Sequence, residues 1–335
     1  MSKNFYLDAE WKRWIAENVL LGGDPEGMTK ILVSKGFDEE HSRLEVDAAR
    51  GHPYVIASKA VVQQLRKREW VLHNSRMLRE AVDCSIAEIW NSIDNASFFR
   101  NYYAINRPLI IRGGASKWPA VQLWNEEYLI SKAGHREVQI QSGRNSDTRY
   151  EINASTHREV LKFADFVTRV FRAGETNDFY MTAQNSDING RVLEPLWPDV
   201  SPIPEMLEGD AKTGRMFFWM GPSGTVTPLH HDLTNNLMIQ VVGRKRVKLI
   251  APDYLPFVYN HFHCFSEVDA EAVDLQRFPL FKKIKVQDVT IGPGDILFLP
   301  IGWWHHVRGL DPTITITCTN FRGVSNQFSD LHPKL

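Results

Sequence analysis

Apolar positions recur at helical spacing through the N-terminal quarter of the chain, then give way to short runs of the kind that form strands. In segment 8–21, Trp11, Trp14, Ile15 and Val19 share one helical face, and Gly22-Gly23 provides a stop. Asp24-Pro25 has the form of an N-cap followed by proline at the first helical position, and the helix it opens carries Met28, Ile31 and Leu32 to about Gly36. Asp38 can cap a third helix that passes Leu44 and Val46 and reaches Gly51. His52-Pro53-Tyr54 breaks the pattern, and a longer helix is predicted from about Ile56 to Leu72. Segments 86–93 and 97–103 also read as helices, and 107–114 as a short strand leading into a turn. From Met216 to Phe321 the strand-like runs 237–242, 245–250, 284–291, 296–299 and 313–321 are separated by Gly and Pro, which predicts a sandwich or barrel. The expected organisation is an N-terminal helical region, 1–78, and a mainly β domain with helical additions, 79–335.

Strand parity then selects among the histidines. In Thr227-Pro-Leu-His-His-Asp, residues two apart share a face, so His230 and Asp232 point one way and His231 the other; Asn236, Met238 and Gln240 continue the parity. In Gly302-Trp-Trp-His-His-Val-Arg, His305 pairs with Val307 and His306 with Arg308, and the pair with valine is the better inward one. His230, Asp232 and His305 would give two imidazoles and one carboxylate. That set leaves coordination positions open and is the ligand set of non-haem Fe(II) oxygenases. A lone His-x-Asp is common by chance, so the surrounding residues decide its weight. Lys245 shares a face with Val247 and Leu249, and a lysine directed into a core needs an anion. The alternative is that it lies at a strand end and reaches solvent. In 313–321, Ile314, Ile316, Cys318 and Asn320 form one face and threonines the other; the apolar face is expected to point inward, with Asn320 meeting a ligand or a neighbouring backbone group.

Composition narrows the class. The 335 residues are 43% hydrophobic and 24% charged with formal net charge -1, which does not describe a general nucleic-acid binder. Arg66-Lys67-Arg68 is a local basic run only. The three cysteines, Cys84, Cys264 and Cys318, lack CxxC spacing, and a disulfide framework is not expected. No segment approaches the roughly 20 apolar residues of a membrane span, and the first residues lack a signal-peptide core. A cytoplasmic protein without membrane association is expected. His261, His263 and Cys264 resemble a second metal site, but no partner pair lies nearby in sequence, and a surface loop is the preferred reading.

The motifs together resemble a known family. Asn106-Arg-Pro-Leu-Ile-Ile-Arg-Gly-Gly, Trp118-Pro-Ala-Val, Met220-Gly-Pro-Ser-Gly-Thr-Val-Thr-Pro-Leu-His-His-Asp, Gln240-Val-Val-Gly-Arg-Lys, Gly292-Pro-Gly-Asp-Ile-Leu-Phe-Leu-Pro, Gly302-Trp-Trp-His-His and Thr315-Ile-Thr-Cys-Thr-Asn-Phe follow the order and spacing of the JmjC oxygenases of the cupin superfamily. The likeness covers about residues 85–325 and looks greatest to the branch of the asparaginyl hydroxylase that inhibits the hypoxia-inducible factor. It implies a double-stranded β-helix (jelly roll), Fe(II) on His230, Asp232 and His305, and 2-oxoglutarate as cosubstrate with dioxygen. It implies that Lys245, Thr227 and Tyr180 contact the distal carboxylate of 2-oxoglutarate, that Asn236 and Asn320 line the same pocket, and that Trp219 and Trp304 contact substrate. Trp219 stands where the relative has an aliphatic residue, so the substrate pocket is expected to differ. The implied reaction is hydroxylation of a protein or peptide side chain. Oxidation of a modified tRNA base or small metabolite, N-methyl demethylation and a non-catalytic binding role follow in that order. The N-terminal helices, with Trp11 and Trp14 taken as exposed, are candidates for a homodimer interface or for holding substrate, and equally for packing against the barrel.

Overall fold

The computed structural model describes residues 6–82, 85–209, 216–326 and 328–333, apart from the side chains of Gln184, Ser186, His261 and Leu331. Cys84, and the side chain of His261, therefore lie outside the described residues. The chain divides into two units, Met1–Val82 and Asp83–Leu335.

Side-chain caps open all four helices of the first unit. Asp8 accepts from the Trp11 amide before α1 (Ala9–Leu21), Asp24 from Gly27 before α2 (Pro25–Ser34), and Asp38 from His41 before α3 (Glu39–Gly51). Each satisfies a backbone donor that the first helical turn leaves unpaired. Gly22, at φ 85°, ends α1 in the left-handed conformation. The core is Leu7, Ile15, Val19, Met28, Leu32, Phe37 and Val46. Trp11 and Trp14 pack on it half-buried, with the Trp11 ring 5.5 Å from Phe37, which corrects the expectation that both are exposed. The fourth helix, α4 (Pro53–Glu80), begins earlier than predicted. His52-Pro53 is a start rather than a break: the His52 ring caps Tyr54, and proline occupies the first helical turn, where its missing N–H is not needed.

The described residues of the second unit form fifteen strands. In chain order they are β1 (Ala87–Trp90), β2 (Leu109–Arg112), β3 (Glu137–Ser142), β4 (Arg158–Lys162), β5 (Phe179–Tyr180), β6 (Met216–Gly221), β7 (Val226–His231), β8 (Asn236–Val242) and β9 (Lys245–Ile250), then β10 (Asn260–Phe262), β11 (Phe265–Ser266), β12 (Gln287–Ile291), β13 (Ile296–Leu299), β14 (Trp304–Gly309) and β15 (Thr313–Cys318). One sheet runs β1-β2-β13-β8-β15-β6, a second β10-β11-β7-β14-β9-β12, and a small third β4-β3-β5. From β6 to β9 the chain alternates between the first two sheets, and from β12 to β15 it does so again. That winding is the double-stranded β-helix of the cupins.

Segment 86–93 is a correction, since Ala87–Trp90 forms β1 rather than a helix and pairs in parallel with β2. Its alternation, with Ala87 and Ile89 half-buried and Glu88 and Trp90 exposed, has period two, and Asn91 at φ 68° ends it. The strand predicted over 284–291 begins only at Gln287, and the last strand stops at Cys318. Helix Phe163–Arg172 buries Phe163, Phe166, Val167 and Val170. These join Phe218, Met220, Ile239, Ile314, Ile316 and Cys318 in one core. Ile314, Ile316 and Cys318 therefore face this helix-containing core, and the inward direction expected for them is reversed. No helix among the described residues is long and apolar enough to cross a membrane.

Gly243 turns β8 into β9 at φ 68°, and a Cβ there would stand 2.2 Å from the Pro312 carbonyl oxygen. Gly243→Ala should therefore lower stability by about 2 kcal/mol or more. Its urea-unfolding midpoint checks this; a midpoint equal to that of the parent would show that the 310–312 segment yields without cost.

Candidate active site

The register of β7 against β14 creates the site. His230 lies opposite His305, and Thr227 lies opposite Val307, so Pro228 and Leu229 together oppose His306 alone. This bulge changes the parity of β7, and Thr227 and His230, three residues apart, both line one pocket. Proline suits the bulge because it has no N–H to pair. The pocket is lined by Tyr180, Trp219, Thr227, His230, Asp232, Asn236, Met238, Lys245, His305, Val307, Thr315 and Thr317.

His230, Asp232 and His305 offer ligand atoms that all lie within 4.8 Å of one another, the one such group among the described residues. His230 Nε2 is 3.7 Å from Asp232 Oδ1, and His305 Nε2 is 4.0 Å from Asp232 Oδ2. His230 Nδ1 donates to the Pro228 carbonyl at 2.8 Å, and His305 Nδ1 to the Trp303 carbonyl at 3.0 Å. A carbonyl only accepts, so each Nδ1 carries the proton and each Nε2 keeps its lone pair for a metal. Burial, and then the neighbouring His305, push the pKa of His230 down to about 4, which keeps the ring neutral and ligating. Asn236 Nδ2 donates to Asp232 Oδ2 at 3.3 Å and orients the carboxylate. His231 leaves the cluster: its ring stands edge-on to Trp304 at 4.8 Å, and its Nδ1 lies 3.2 Å from the Asp232 carbonyl oxygen.

Across the pocket, Lys245 is 2% exposed. Its ammonium donates to the Tyr180 hydroxyl at 3.0 Å, and no carboxylate among the described residues pairs with it. Burial pushes its pKa down to about 7. Thr227 lines the same pocket as Tyr180 and Lys245. An ammonium has three donors and one is used, so a carboxylate would complete the shell and restore the charged form. Two converging imidazoles, an oriented carboxylate and a buried cation in one pocket fit a chelated divalent metal and a dianionic cosubstrate.

Two of the expected residues do not reach this pocket. Asn320 Nδ2 donates to the Glu208 carbonyl, and the Asn320 backbone carbonyl accepts from the Glu208 amide, so the backbone alternative holds for its NH2 group. Trp304, 1% exposed, packs in a core cluster with Ile250 and Trp303 and offers no surface to substrate. Thr315 and Thr317 take the position expected of Asn320's face: Thr315 donates to Gln240 Oε1 at 2.8 Å, and Thr317 Oγ1 accepts from Trp219 Nε1 at 2.9 Å. The alternating threonines of β15 were the signal, because a barrel wall beside a polar ligand is itself polar. His263 and Cys264 gain two neighbours from distant sequence. The His263 ring lies 5.1 Å from His332, which lies 5.4 Å from His231, and the Cys264 carbonyl accepts from the His231 amide.

Fold and site thus define a double-stranded β-helix carrying a two-histidine, one-carboxylate centre. A family model described as a cupin-like domain matches residues 95–326, and the chain belongs to that family, within the JmjC oxygenases that use Fe(II) and 2-oxoglutarate. The chain is 29% identical over 309 residues to "Lysine-specific demethylase 8" of Xenopus tropicalis, covering 86% of this chain and 68% of that protein. It is 28% identical over 308 residues to "Lysine-specific demethylase JMJ30" of Arabidopsis thaliana, covering 89% and 68%. It is 26% identical over 229 residues to "tRNA wybutosine-synthesizing protein 5" of Gallus gallus, covering 65% and 71%.

His230→Ala or Asp232→Ala should abolish Mn(II) binding measured by calorimetry, whereas His231→Ala should bind within about threefold of the parent. The opposite ranking would overturn the assignment of faces. Lys245 yields a pH-dependent prediction. Its charged form is disfavoured only in the folded state, so the cost is complete below about pH 7 and gone above 10.5. Lys245→Met should stabilise the ligand-free protein by about 1 kcal/mol or more near pH 6, with the gain fading as pH rises toward 10.5. Thermal melts across that range check it; a gain independent of pH would show that the amine is not desolvated.

Proposed function

We propose that this chain hydroxylates a side chain of a protein or peptide. The observation that carries the reading is the single pocket in which His230, Asp232 and His305 stand across from the buried Lys245–Tyr180 pair. His230 Nε2, the Asp232 carboxylate and His305 Nε2 would hold Fe(II). Lys245, Tyr180 and Thr227 would hold the distal carboxylate of 2-oxoglutarate, and Lys245 takes up a proton as that carboxylate arrives, since its pKa is about 7 in the free pocket. When bound, Fe(II) and 2-oxoglutarate supply the oxidising chemistry: dioxygen gives one atom to succinate, released with carbon dioxide, and one to a substrate C–H bond. Asn236 keeps Asp232 in its ligating orientation. Trp219, locked by Thr317, forms a wall where substrate approaches and keeps bulk water from the reacting atoms.

A proteinaceous substrate is supported by the names of the frog and Arabidopsis relatives, which specify lysine, a protein side chain. The same names favour a second reading, removal of an N-methyl group, in which the hydroxylated methyl leaves as formaldehyde. The chicken relative favours oxidation of a tRNA base, but a net charge of -1 gives this chain no general affinity for a phosphate backbone.

The test measures succinate formed from 2-oxoglutarate with Fe(II), then screens a peptide library by mass spectrometry. Gain of one oxygen supports hydroxylation; loss of one methyl replaces it with demethylation. A chain that makes no succinate and binds neither metal nor 2-oxoglutarate is not an oxygenase of this kind.

A further inference from the structure

Behind the cosubstrate wall lies a cation that none of the roles above uses. Arg144 opens a short 3-10 turn, Arg144–Ser146, after β3, and its side chain is 0% exposed. Its Nη2 donates to Glu151 Oε1 and to the Val226 carbonyl oxygen, each at 2.8 Å. Nε and Nη1 have no polar partner. The guanidinium instead sits between two aromatic rings, 4.2 Å from the centroid of Tyr150 and 5.2 Å from that of Tyr180. Tyr150 also donates to the Val226 carbonyl, at 3.2 Å. Val226 is the residue before Thr227, so Arg144 braces both the ring and the strand that present hydroxyls to the pocket.

We propose that Arg144 is a positioning residue for the distal carboxylate of 2-oxoglutarate, acting through Tyr180 and the start of β7. Three physical points carry this. A buried guanidinium with two unsatisfied donors is costly as a structural element alone and is retained where its charge has a use. A planar cation over the Tyr180 ring fixes that ring, and with it the hydroxyl that receives Lys245. The guanidinium also holds the chain just ahead of Thr227 through the Val226 carbonyl at 2.8 Å, so one side chain fixes both the ring and the strand at this wall. A dianion entering this desolvated site then meets Lys245 directly and Arg144 from behind.

The inference rests on the proposed binding of 2-oxoglutarate, and the experiment separates the two. Calorimetry under anaerobic conditions with Mn(II) in place of iron compares 2-oxoglutarate with 2-oxopentanoate, a 2-oxo acid of the same chain length without the distal carboxylate. The parent should bind 2-oxoglutarate the more tightly; if it binds neither, the functional reading fails before Arg144 is tested. Arg144→Gln should weaken 2-oxoglutarate by about tenfold, equivalent to about 1.4 kcal/mol, and leave Mn(II) and 2-oxopentanoate unchanged. Arg144→Lys should recover part of the loss because it keeps the charge. Equal weakening of both acids, or loss of metal binding, would reduce Arg144 to a structural brace and overturn the proposal. Unchanged binding of 2-oxoglutarate in Arg144→Gln would overturn it too.

Discussion

The site depends on one strand register, that of β7 against β14. His230 and His305 come from segments far apart in sequence, and their approach to a ring separation of 4.1 Å follows from that pairing. A slip of one residue would turn His230 outward and bring His231 in, replacing the ligand set by one that lacks the Asp232 face. The register is held at the end that carries the ligands. Asn235 accepts from the Ile301 amide at 2.9 Å and pairs with Asn326, whose amide also reaches the Asn235 carbonyl. The Gly302 amide donates to the Asp232 carbonyl. The ligand-bearing ends of the two segments are thus tied to each other and to the C-terminal residues by buried hydrogen bonds. A metal centre needs such bonds, because its ligands must already be in place before the ion arrives.

The bulge at Pro228-Leu229 has a second consequence. Without it, Thr227 would face away from His230, and the distal end of the pocket would lose a hydroxyl. With it, β7 supplies a metal ligand at one end and a pocket-lining hydroxyl at the other. The polar lining continues across β15, where Thr315 and Thr317 are bound to Gln240 and Trp219. Apolar packing on that sheet is moved to its other face, beside helix Phe163–Arg172. The barrel interior is therefore divided. Leu229, Val247, Leu249 and Leu297 belong to an apolar cluster, and the pocket occupies the polar remainder.

Much of this arrangement was legible in the sequence, and the failures have physical causes. Capping aspartates marked two helices because a short acceptor before a helical run has few other uses. Period-two alternation picked out His230 over its neighbour because β7 is regular from His230 onward. It could not select Thr227, which lies across the bulge. It inverted β15 because apolar residues were assigned to the inside, whereas here the inside is a binding site and the outside is covered by a helix. Tyr180 belongs to a strand of two residues, too short for any periodic signal. Arg144 and Glu151 lie in a segment of turns, and only their burial shows that they matter. Trp304 failed as a substrate contact for the opposite reason: a tryptophan beside a metal ligand was read as surface when it is core.

Lys245 and Arg144 explain why this end of the barrel is built as it is. Two buried cations in one wall destabilise the ligand-free protein, and each is only partly compensated, Lys245 by a neutral hydroxyl and Arg144 by Glu151 and a carbonyl. The compensation that is missing matches a dicarboxylate. A neutral ligand of the same shape would leave Lys245 without a counter-charge. The place of Lys245 relative to the ligand His305 is set by the turn at Gly243 and the register of β9 against β14, in which Leu249 lies opposite His305 and Lys245 opposite Gly309. Trp219 stands beside this same end, its ring 5.9 Å from that of Tyr180, so the buried Lys245–Tyr180 pair and the tryptophan held by Thr317 belong to one continuous lining.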